Sequence, residues 1–173
     1  MADRLEITPT QRQALELGAL LHDIGEIRTP EAVLQKAGPL TPEERRIVEQ
    51  HPACGVDLLE TVPLLTPALD VVGGHHERYD GGGYPQGLRA EEIPLTARIF
   101  AVVDALDAMT NDRPYRTARP LADALDVLRG EAGKQFDPRI IEAALAIPAA
   151  RWAELLGLQP VQTLSVLSQN LAE

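Results

Sequence analysis

Residues 94–110 read PLTARIFAVVDALDAMT, a stretch whose apolar side chains recur three and four positions apart. This spacing is typical of one face of an α-helix. The residues on that face are Ile99, Val102, Val103 and Leu106. Asp104 lies within the same stretch, and a carboxylate among apolar side chains needs a partner because an unpaired buried charge is very costly. The stretch therefore predicts a core helix that carries one acid with a specific role.

Sequence signals for the start of a helix occur along the rest of the chain and predict further helices. At five places a Thr or Asp suited to the N-cap stands directly before a proline suited to the first helical position. These places are Thr8-Pro9, Thr29-Pro30, Thr41-Pro42, Thr66-Pro67 and Asp137-Pro138. Gln11 and Glu44 follow three residues after Thr8 and Thr41, which predicts two capping boxes.

Alternating strand patterns are missing, so the sequence predicts an all-α fold, a single helical bundle. We expect helices over residues 9–23, 30–36, 42–51, 53–61, 67–78, 94–110, 120–132 and 138–147. A glycine-rich loop is expected at 79–93, between the helices predicted at 67–78 and 94–110. We expect the functional domain to cover residues 1–148, and a C-terminal helix and tail to cover residues 149–173.

Length and composition fit one globular domain. The chain has 173 residues, of which 45% are hydrophobic and 24% charged, and its net charge of −10 disfavours DNA or RNA as a partner. No apolar run is long enough for a membrane span and no secretory signal is visible, so we expect no membrane contact. Cys54 is the single cysteine, which fits a reducing compartment. These features predict a cytoplasmic protein that binds an anion only where positive charge is local, for example on bound metal ions.

The four histidines carry the main functional signal. His22-Asp23 closes the first predicted helix, before Gly25 as a candidate C-cap. His51 ends a helix before a proline, and His75-His76 ends another after two glycines.

Each of these features has an ordinary explanation when it is taken alone. A lone histidine is more often a surface or hydrogen-bonded core residue than a ligand. His22-Asp23 could reflect helix C-terminal electrostatics, and Asp104 could pair with Arg98.

Together these residues predict a metal site, because no histidine lies outside the three motifs. Imidazole and carboxylate ligands without thiolates suit divalent iron, manganese or zinc. The potential ligands exceed what one tetrahedral ion requires, and Asp23 could bridge two ions. A metal-bound hydroxide would then be the nucleophile of an in-line phosphoryl displacement. The candidate ligands are His22, Asp23, His51, His75, His76 and Asp104.

An ordered set of motifs resembles the HD-GYP subgroup of HD-domain phosphohydrolases, from about residue 12 to residue 147. The set comprises HDIG at 22–25, HPACG at 51–55, HHERYDGGGYP at 75–85, VDALDAMT at 103–110 and DRPYR at 112–116. LQKAGPLT at 34–41 and GKQFDP at 133–138 match as well.

The resemblance implies hydrolysis of cyclic di-GMP to linear pGpG, and further to GMP, by a cluster of divalent iron or manganese ions. It assigns the six candidate ligands to the metals, with His22, Asp23 and Asp104 as catalytic residues. It assigns substrate binding to Gly83, Tyr84, Pro85, Arg113 and Arg116. Arginine can hold a phosphate bidentately, and Tyr84 offers a stacking face for guanine. A solvated loop is the alternative for the two arginines.

Two features depart from the family pattern. Glu26 stands where the family usually has a lysine, so it would either repel the substrate phosphate, bind a metal or point into solvent. The family's usual first helix, with further metal ligands, does not precede His22, so we expect two ions and not a complete site for a third. Two alternative functions stay open: a catalytically weak signalling module that binds nucleotides or proteins, and a phosphohydrolase for another nucleotide. A homodimer or a fused or separate sensor domain are the expected partners.

Overall fold

The computed structural model describes residues 5–112 and 117–158, which form nine α-helices and no β-strand. The helices are α1 (Pro9–Leu21), α2 (Glu31–Leu34), α3 (Pro42–Val48), α4 (His51–Leu59), α5 (Leu69–Gly74), α6 (Leu95–Thr110), α7 (Leu121–Gly130), α8 (Pro138–Leu145) and α9 (Ala149–Leu155). Short 3-10 turns lie at Ile24–Arg28, Pro63–Ala68 and Ala90–Glu92. The predicted all-α class is confirmed.

Side-chain caps begin the helices where the sequence signals are strongest. Thr8 and Thr41 each accept a hydrogen bond from the backbone N–H three residues on, and both capping boxes form as predicted. Asp137 caps α8 by accepting from the N–H of Arg139. These caps satisfy backbone donors that a helix leaves without an intrahelical partner.

Two predicted caps are wrong. The backbone N–H of Thr29 closes the preceding 3-10 turn on Glu26, so the cap position of α2 is taken by Pro30. Thr66 lies inside a 3-10 turn that begins at Pro63 and runs directly into α5.

Two site-bearing positions also differ from the prediction. His51 does not end a helix but begins α4, because Pro52 fits the first turn of a helix as well as it ends one. Gly25 is no C-cap: it is buried inside the 3-10 turn that follows α1.

The largest apolar cluster lies under α6, α7, α8 and α9. Its buried members are Ile99, Val102, Leu106, Leu121, Ala124, Leu128, Phe136, Ile140, Ile141, Ala144 and Trp152. Trp152, on α9, also donates its indole N–H to the carbonyl oxygen of Ala144 at 3.0 Å. Residues 149–155 therefore pack on the same core as the helices before them, and the predicted domain boundary at residue 148 stays a prediction.

A second, smaller apolar cluster lies between α4, α5 and the Pro63–Ala68 turn, and its buried members are Leu59, Ala68 and Val72. α1 packs on both α5 and this turn. The ends of α1, α4 and α5 thereby meet in one place. In the part of the chain that the structure describes, no helix has the length and apolarity needed to cross a membrane.

Candidate metal centre

Four predicted ligands converge where α1, α4 and α5 meet. Each of Asp23, His51, His75 and His76 offers one ligand atom, and these atoms lie within 4.8 Å of one another. The Nε2 atoms of His51 and His75 are 3.2 Å apart. Asp23 Oδ1 lies 3.4 Å from Nε2 of His51 and 3.6 Å from Nε2 of His75. A single exposed carboxylate thus faces two buried imidazoles.

His22 extends this cluster from the other side of Asp23. Its Nε2 lies 3.0 Å from Asp23 Oδ2, and its ring centroid is 5.3 Å from that of His75. Asp23 therefore has a histidine nitrogen within 3.6 Å of each of its oxygens.

Asp104 enters from α6, where it is half-buried. Its negative charge is one of those that raise the pKa of His22, which places it within electrostatic reach of the cluster. Arg98 does not serve as its counterion, since the Arg98 guanidinium binds the buried carboxylate of Asp137 at 2.6 Å. The helix predicted from residues 94–110 thus carries Asp104 close enough to influence the charge state of His22.

Two glycines allow the ligand-bearing backbones to come together. A Cβ on Gly25 would lie 1.9 Å from the carbonyl oxygen of His51 and 2.6 Å from the backbone nitrogen of Gly55. A Cβ on Gly55 would lie 2.6 Å from a methyl carbon of Val72. Because no side chain fits in either place, the turn after Asp23 rests directly on α4, and α4 rests on α5.

Backbone carbonyls orient three of the imidazoles. A carbonyl oxygen can only accept, so Nδ1 of His22, His51 and His75 carries the proton and donates it. The acceptors are the carbonyl oxygens of Ala19 at 3.1 Å, Val48 at 2.8 Å and Val72 at 3.0 Å. A metal-ligating histidine usually makes such a hydrogen bond through the ring nitrogen that does not bind the metal. The bond leaves Nε2 available as the ligand atom.

The resulting donor set fits a divalent cation. Wherever Nε2 carries no proton, the lone pairs of His51 and His75 face each other at 3.2 Å and also face the Asp23 carboxylate. Lone pairs held this close repel one another unless a cation or a proton lies among them. Imidazole nitrogen and carboxylate oxygen without thiolate suit iron, manganese or zinc.

The charges in the cluster shift the pKa values of its members. The hydrogen bond to Asp23 raises the pKa of His22, although burial opposes it. Burial lowers the pKa of His51, but the contacts with Asp23 and a backbone carbonyl outweigh it and raise the pKa overall. Burial alone would raise the pKa of Asp23, yet the imidazoles around it hold that pKa far below its usual range. Burial and the neighbouring histidines lower the pKa of His76 to about 3, so its imidazole is neutral and available as a ligand.

The Gly-Tyr-Pro loop lies over the cluster. The ring of Tyr84 faces that of His76, with centroids 4.8 Å apart and planes tilted by 31°. Burial, followed by the negative charges of Glu49 and Asp23, raises the pKa of Tyr84 to about 12, so the phenol stays protonated. One ring face of Tyr84 is therefore covered by a candidate metal ligand.

The same loop rests on the backbone of the histidine pair. A Cβ on Gly83 would lie 2.3 Å from the backbone nitrogen of Arg78 and 2.6 Å from the carbonyl oxygen of His76. The peptide bond from Tyr84 to Pro85 is cis. Gly83 and Tyr84, two of the three residues predicted to bind substrate from this loop, thus lie beside His76, and Pro85 directly follows them. The other two, Arg113 and Arg116, lie outside the described residues.

Glu26 lies near the same charges. Burial, then the negative charge of Asp23, raises the pKa of Glu26, while His51, His22 and His75 oppose that rise. Its carboxylate therefore adds negative potential at the edge of the candidate metal centre, where the family resemblance leads us to expect a lysine.

Two residues next to the site were not predicted from the sequence. The centroid of the Phe100 ring lies 4.9 Å from that of His22 and 6.1 Å from that of His75. Phe100 therefore packs an apolar side chain against these two histidines. Glu77 is 3% exposed although it directly follows the two histidines. The only sequence signal for either was its position: Phe100 lies one helical turn before Asp104, and Glu77 is an acid next to a ligand.

Comparison with known proteins places this arrangement in a family. The family model described as HD domain matches residues 1–140. The chain belongs to the HD domain family. A cyclic di-GMP phosphodiesterase of Thermotoga maritima is 42% identical over 135 residues, which are 77% of this chain and 37% of that protein. The cyclic di-GMP phosphodiesterase response regulator RpfG of Xanthomonas campestris is 41% identical over 147 residues, 84% of this chain and 39% of the regulator. This chain thus spans less than two fifths of either relative's length.

Solved HD structures agree with the fold. An HDG"Y"P protein of Bdellovibrio bacteriovorus superposes with a TM-score of 0.62 at 28% identity, over 82% of this chain and 45% of that one. A cyclic GMP-AMP specific phosphodiesterase of Vibrio cholerae gives a TM-score of 0.62 at 17% identity, over 98% of this chain and 44% of that one, a likeness of fold alone. The predicted resemblance to HD-GYP proteins is confirmed.

Proposed function

We propose that this HD domain hydrolyses cyclic di-GMP to pGpG, and further to GMP, with two divalent metal ions, iron or manganese. The observation that carries the proposal is the convergence of Asp23, His51, His75 and His76 within 4.8 Å. When bound, such ions polarise phosphoryl oxygens and lower the pKa of water. Asp23 is proposed to bridge the two ions, with His22 and Asp104 completing the ligand set.

The protein's own groups would orient the substrate around this centre. The Tyr84 phenol stays protonated and can donate a hydrogen bond, and the ring face turned away from His76 is proposed to stack on a guanine. Arg113 and Arg116 are proposed to hold the phosphates by charge-assisted bonds. The relatives named above as cyclic di-GMP phosphodiesterases support this substrate.

The setting of the reaction is part of the proposal. A reducing, cytoplasmic compartment is supported by the single cysteine. A sensor domain, fused or separate, is the proposed regulatory partner, because most of each relative's chain lies outside the match. A homodimer is the proposed assembly, and the oligomeric state in solution would test it.

A direct assay tests the function. The chain is loaded without oxygen with Fe²⁺ or Mn²⁺, its bound metal is measured, and the products from cyclic di-GMP are separated by chromatography. Asp23→Ala should lower both bound metal and turnover by at least about 100-fold, because it removes the bridging ligand. Asp57→Asn is the matched control, since this exposed carboxylate pairs with Arg28 at the surface. Full metal content in Asp23→Ala would contradict the metal assignment.

The choice of substrate has its own test. A protein of Vibrio cholerae named 3'3'-cGAMP-specific phosphodiesterase 3 is 36% identical over 83% of this chain. The proposal therefore requires that metal-loaded protein hydrolyse cyclic di-GMP faster than 3'3'-cGAMP under the same conditions. Faster hydrolysis of 3'3'-cGAMP would mean that cyclic di-GMP is not the preferred substrate, while the proposed phosphodiester hydrolysis would still hold.

Glu26 favours a second candidate function, a domain that binds the nucleotide but turns it over slowly. Its carboxylate adds negative charge beside the cluster and would repel a phosphate. Measurable binding of cyclic di-GMP without hydrolysis would support this function. In that case Glu26→Lys should raise turnover while bound metal stays the same, whereas loss of metal would identify Glu26 as a ligand.

A further inference from the structure

Glu77 is a buried acid that the proposed chemistry does not use. It is 3% exposed and directly follows the candidate ligand His76. No Lys, Arg or His of the described residues forms an ion pair with it. A carboxylate this buried needs strong hydrogen bonds in place of water. Its partners therefore indicate what the residue is for.

Both partners belong to the loop that carries Tyr84. The backbone N–H of Gln86 donates to Oε1 of Glu77 at 2.7 Å, and the N–H of Leu88 donates to Oε2 at 3.0 Å. Gly87, between them, has φ +69°, a conformation that favours glycine. Alternate N–H groups around such a residue converge on one side, as in the anion-binding nests of other proteins. Here the anion is a side chain of the protein itself.

This contact fixes the loop at one end of the Tyr84-Pro85 dipeptide, and a second contact fixes it at the other. The N–H of Tyr84 donates to the carbonyl oxygen of His76 at 3.2 Å. Gly83, one residue earlier, lies against the same backbone with no space for a side chain. Tyr84 is thus held between the His76 carbonyl and the Glu77 carboxylate, with its ring on the imidazole of His76.

We propose that Glu77 is a positioning residue that holds Tyr84 over the metal centre, ready to contact a cyclic dinucleotide. This inference rests on the proposed function for its substrate. A glutamate side chain suits this role, because each of its two oxygens accepts a backbone N–H of the loop. A glutamine of the same size would turn an NH₂ group toward one of the loop N–H donors and lose that bond. The loop would then leave His76 while the metal ligands stayed in place.

Kinetics with two substrates test the proposal. Cyclic di-GMP needs the loop, whereas bis(4-nitrophenyl) phosphate offers a phosphodiester without guanine or ribose. Glu77→Gln should raise KM for cyclic di-GMP by about tenfold or more, the size expected for losing a buried charged hydrogen bond. Bound metal and kcat/KM for bis(4-nitrophenyl) phosphate should stay within about twofold of wild type. Glu91→Gln is the matched control, because this loop carboxylate is exposed and pairs with Arg139 at the surface.

Gly87→Ala tests the same contact from the other partner. An added Cβ would meet nothing closer than the Gly81 carbonyl oxygen at 3.7 Å, so only the backbone conformation is disfavoured. It should reproduce the rise in KM for cyclic di-GMP even if Glu77→Gln does not fold. Equal losses with both substrates, or wild-type KM in Gly87→Ala, would overturn the proposal in favour of a purely structural role.

Amide exchange in the wild-type protein gives a readout that needs no substrate. The N–H groups of Gln86 and Leu88 should exchange slowly, and the N–H of Gly87 between them should exchange fast. Equal fast exchange at all three positions would overturn the contact itself. If metal-loaded protein cleaves bis(4-nitrophenyl) phosphate but no cyclic dinucleotide, the proposed function fails while this protection pattern still decides whether Glu77 holds the loop.

Discussion

The core under α6–α9 and the region around the candidate metal centre bury different kinds of side chain. The first is apolar, with Leu106, Leu128 and Ile140 fully enclosed. The second buries His51, His75 and Glu77, and its apolar cluster has only Leu59, Ala68 and Val72 as buried members. Burial of apolar side chains stabilises the first region without a bound ion. The second is held by close backbone contacts and by hydrogen bonds from its histidines to backbone carbonyls, and it contains the candidate metal ligands.

The comparison predicts that the apolar core dominates stability. Leu128→Ala removes a fully buried side chain and should lower the free energy of unfolding by about 2–5 kcal/mol. Metal bound per folded chain should not change, since Leu128 lies in the other region. Denaturant unfolding and metal analysis check this. Leu155→Ala, at a 57% exposed position, is the control and should change stability by less than about 0.5 kcal/mol. Loss of metal in Leu128→Ala would show that the two regions are coupled.

Metal removal should act on the second region. At a free ion concentration of 100 times Kd, binding adds about 2.7 kcal/mol to the free energy of unfolding, and chelation removes it. Amide exchange through local opening should slow on metal binding in α4 and α5 and stay unchanged in α7 and α8. Asp23→Ala should lack the whole response. An equal gain in stability for Asp23→Ala would mean that the ion binds elsewhere.

Gly25→Ala should have the smallest effect on stability and a specific effect on the site. The new Cβ would fall 1.9 Å from the His51 carbonyl oxygen, and overpacking of this kind costs about 1–3 kcal/mol. Because the turn after Asp23 must then move away from α4, metal affinity should fall as well. Gly38→Ala is the control, with nothing within 4 Å of its added Cβ. Metal affinity is measured by titration. An unchanged affinity in Gly25→Ala would show that the contact of Gly25 with α4 does not control the geometry of the metal ligands.

Local signals determined most of the helices. The capping boxes at Thr8 and Thr41 and the cap at Asp137 were predictable, because a cap involves residues only two or three positions apart. Predictions from the local sequence were wrong at Pro52 and Gly25. A proline ends one helix or begins the next, and a glycine suits a C-cap or a close contact. Neighbouring helices, not the local sequence, decide between these.

The sequence by itself also determined which side chains could bind metal, since imidazole and carboxylate groups with no thiolate define a class of ligand wherever they meet. Only the tertiary structure decided that they do meet. Asp23 and His75 are far apart in the chain, and their 3.6 Å approach depends on the packing of α1, α4 and α5. The role proposed for Glu77 has the same origin, because its oxygens bind N–H groups nine and eleven residues away. Side-chain chemistry is local to each residue, whereas distances between elements are set by how their surfaces pack.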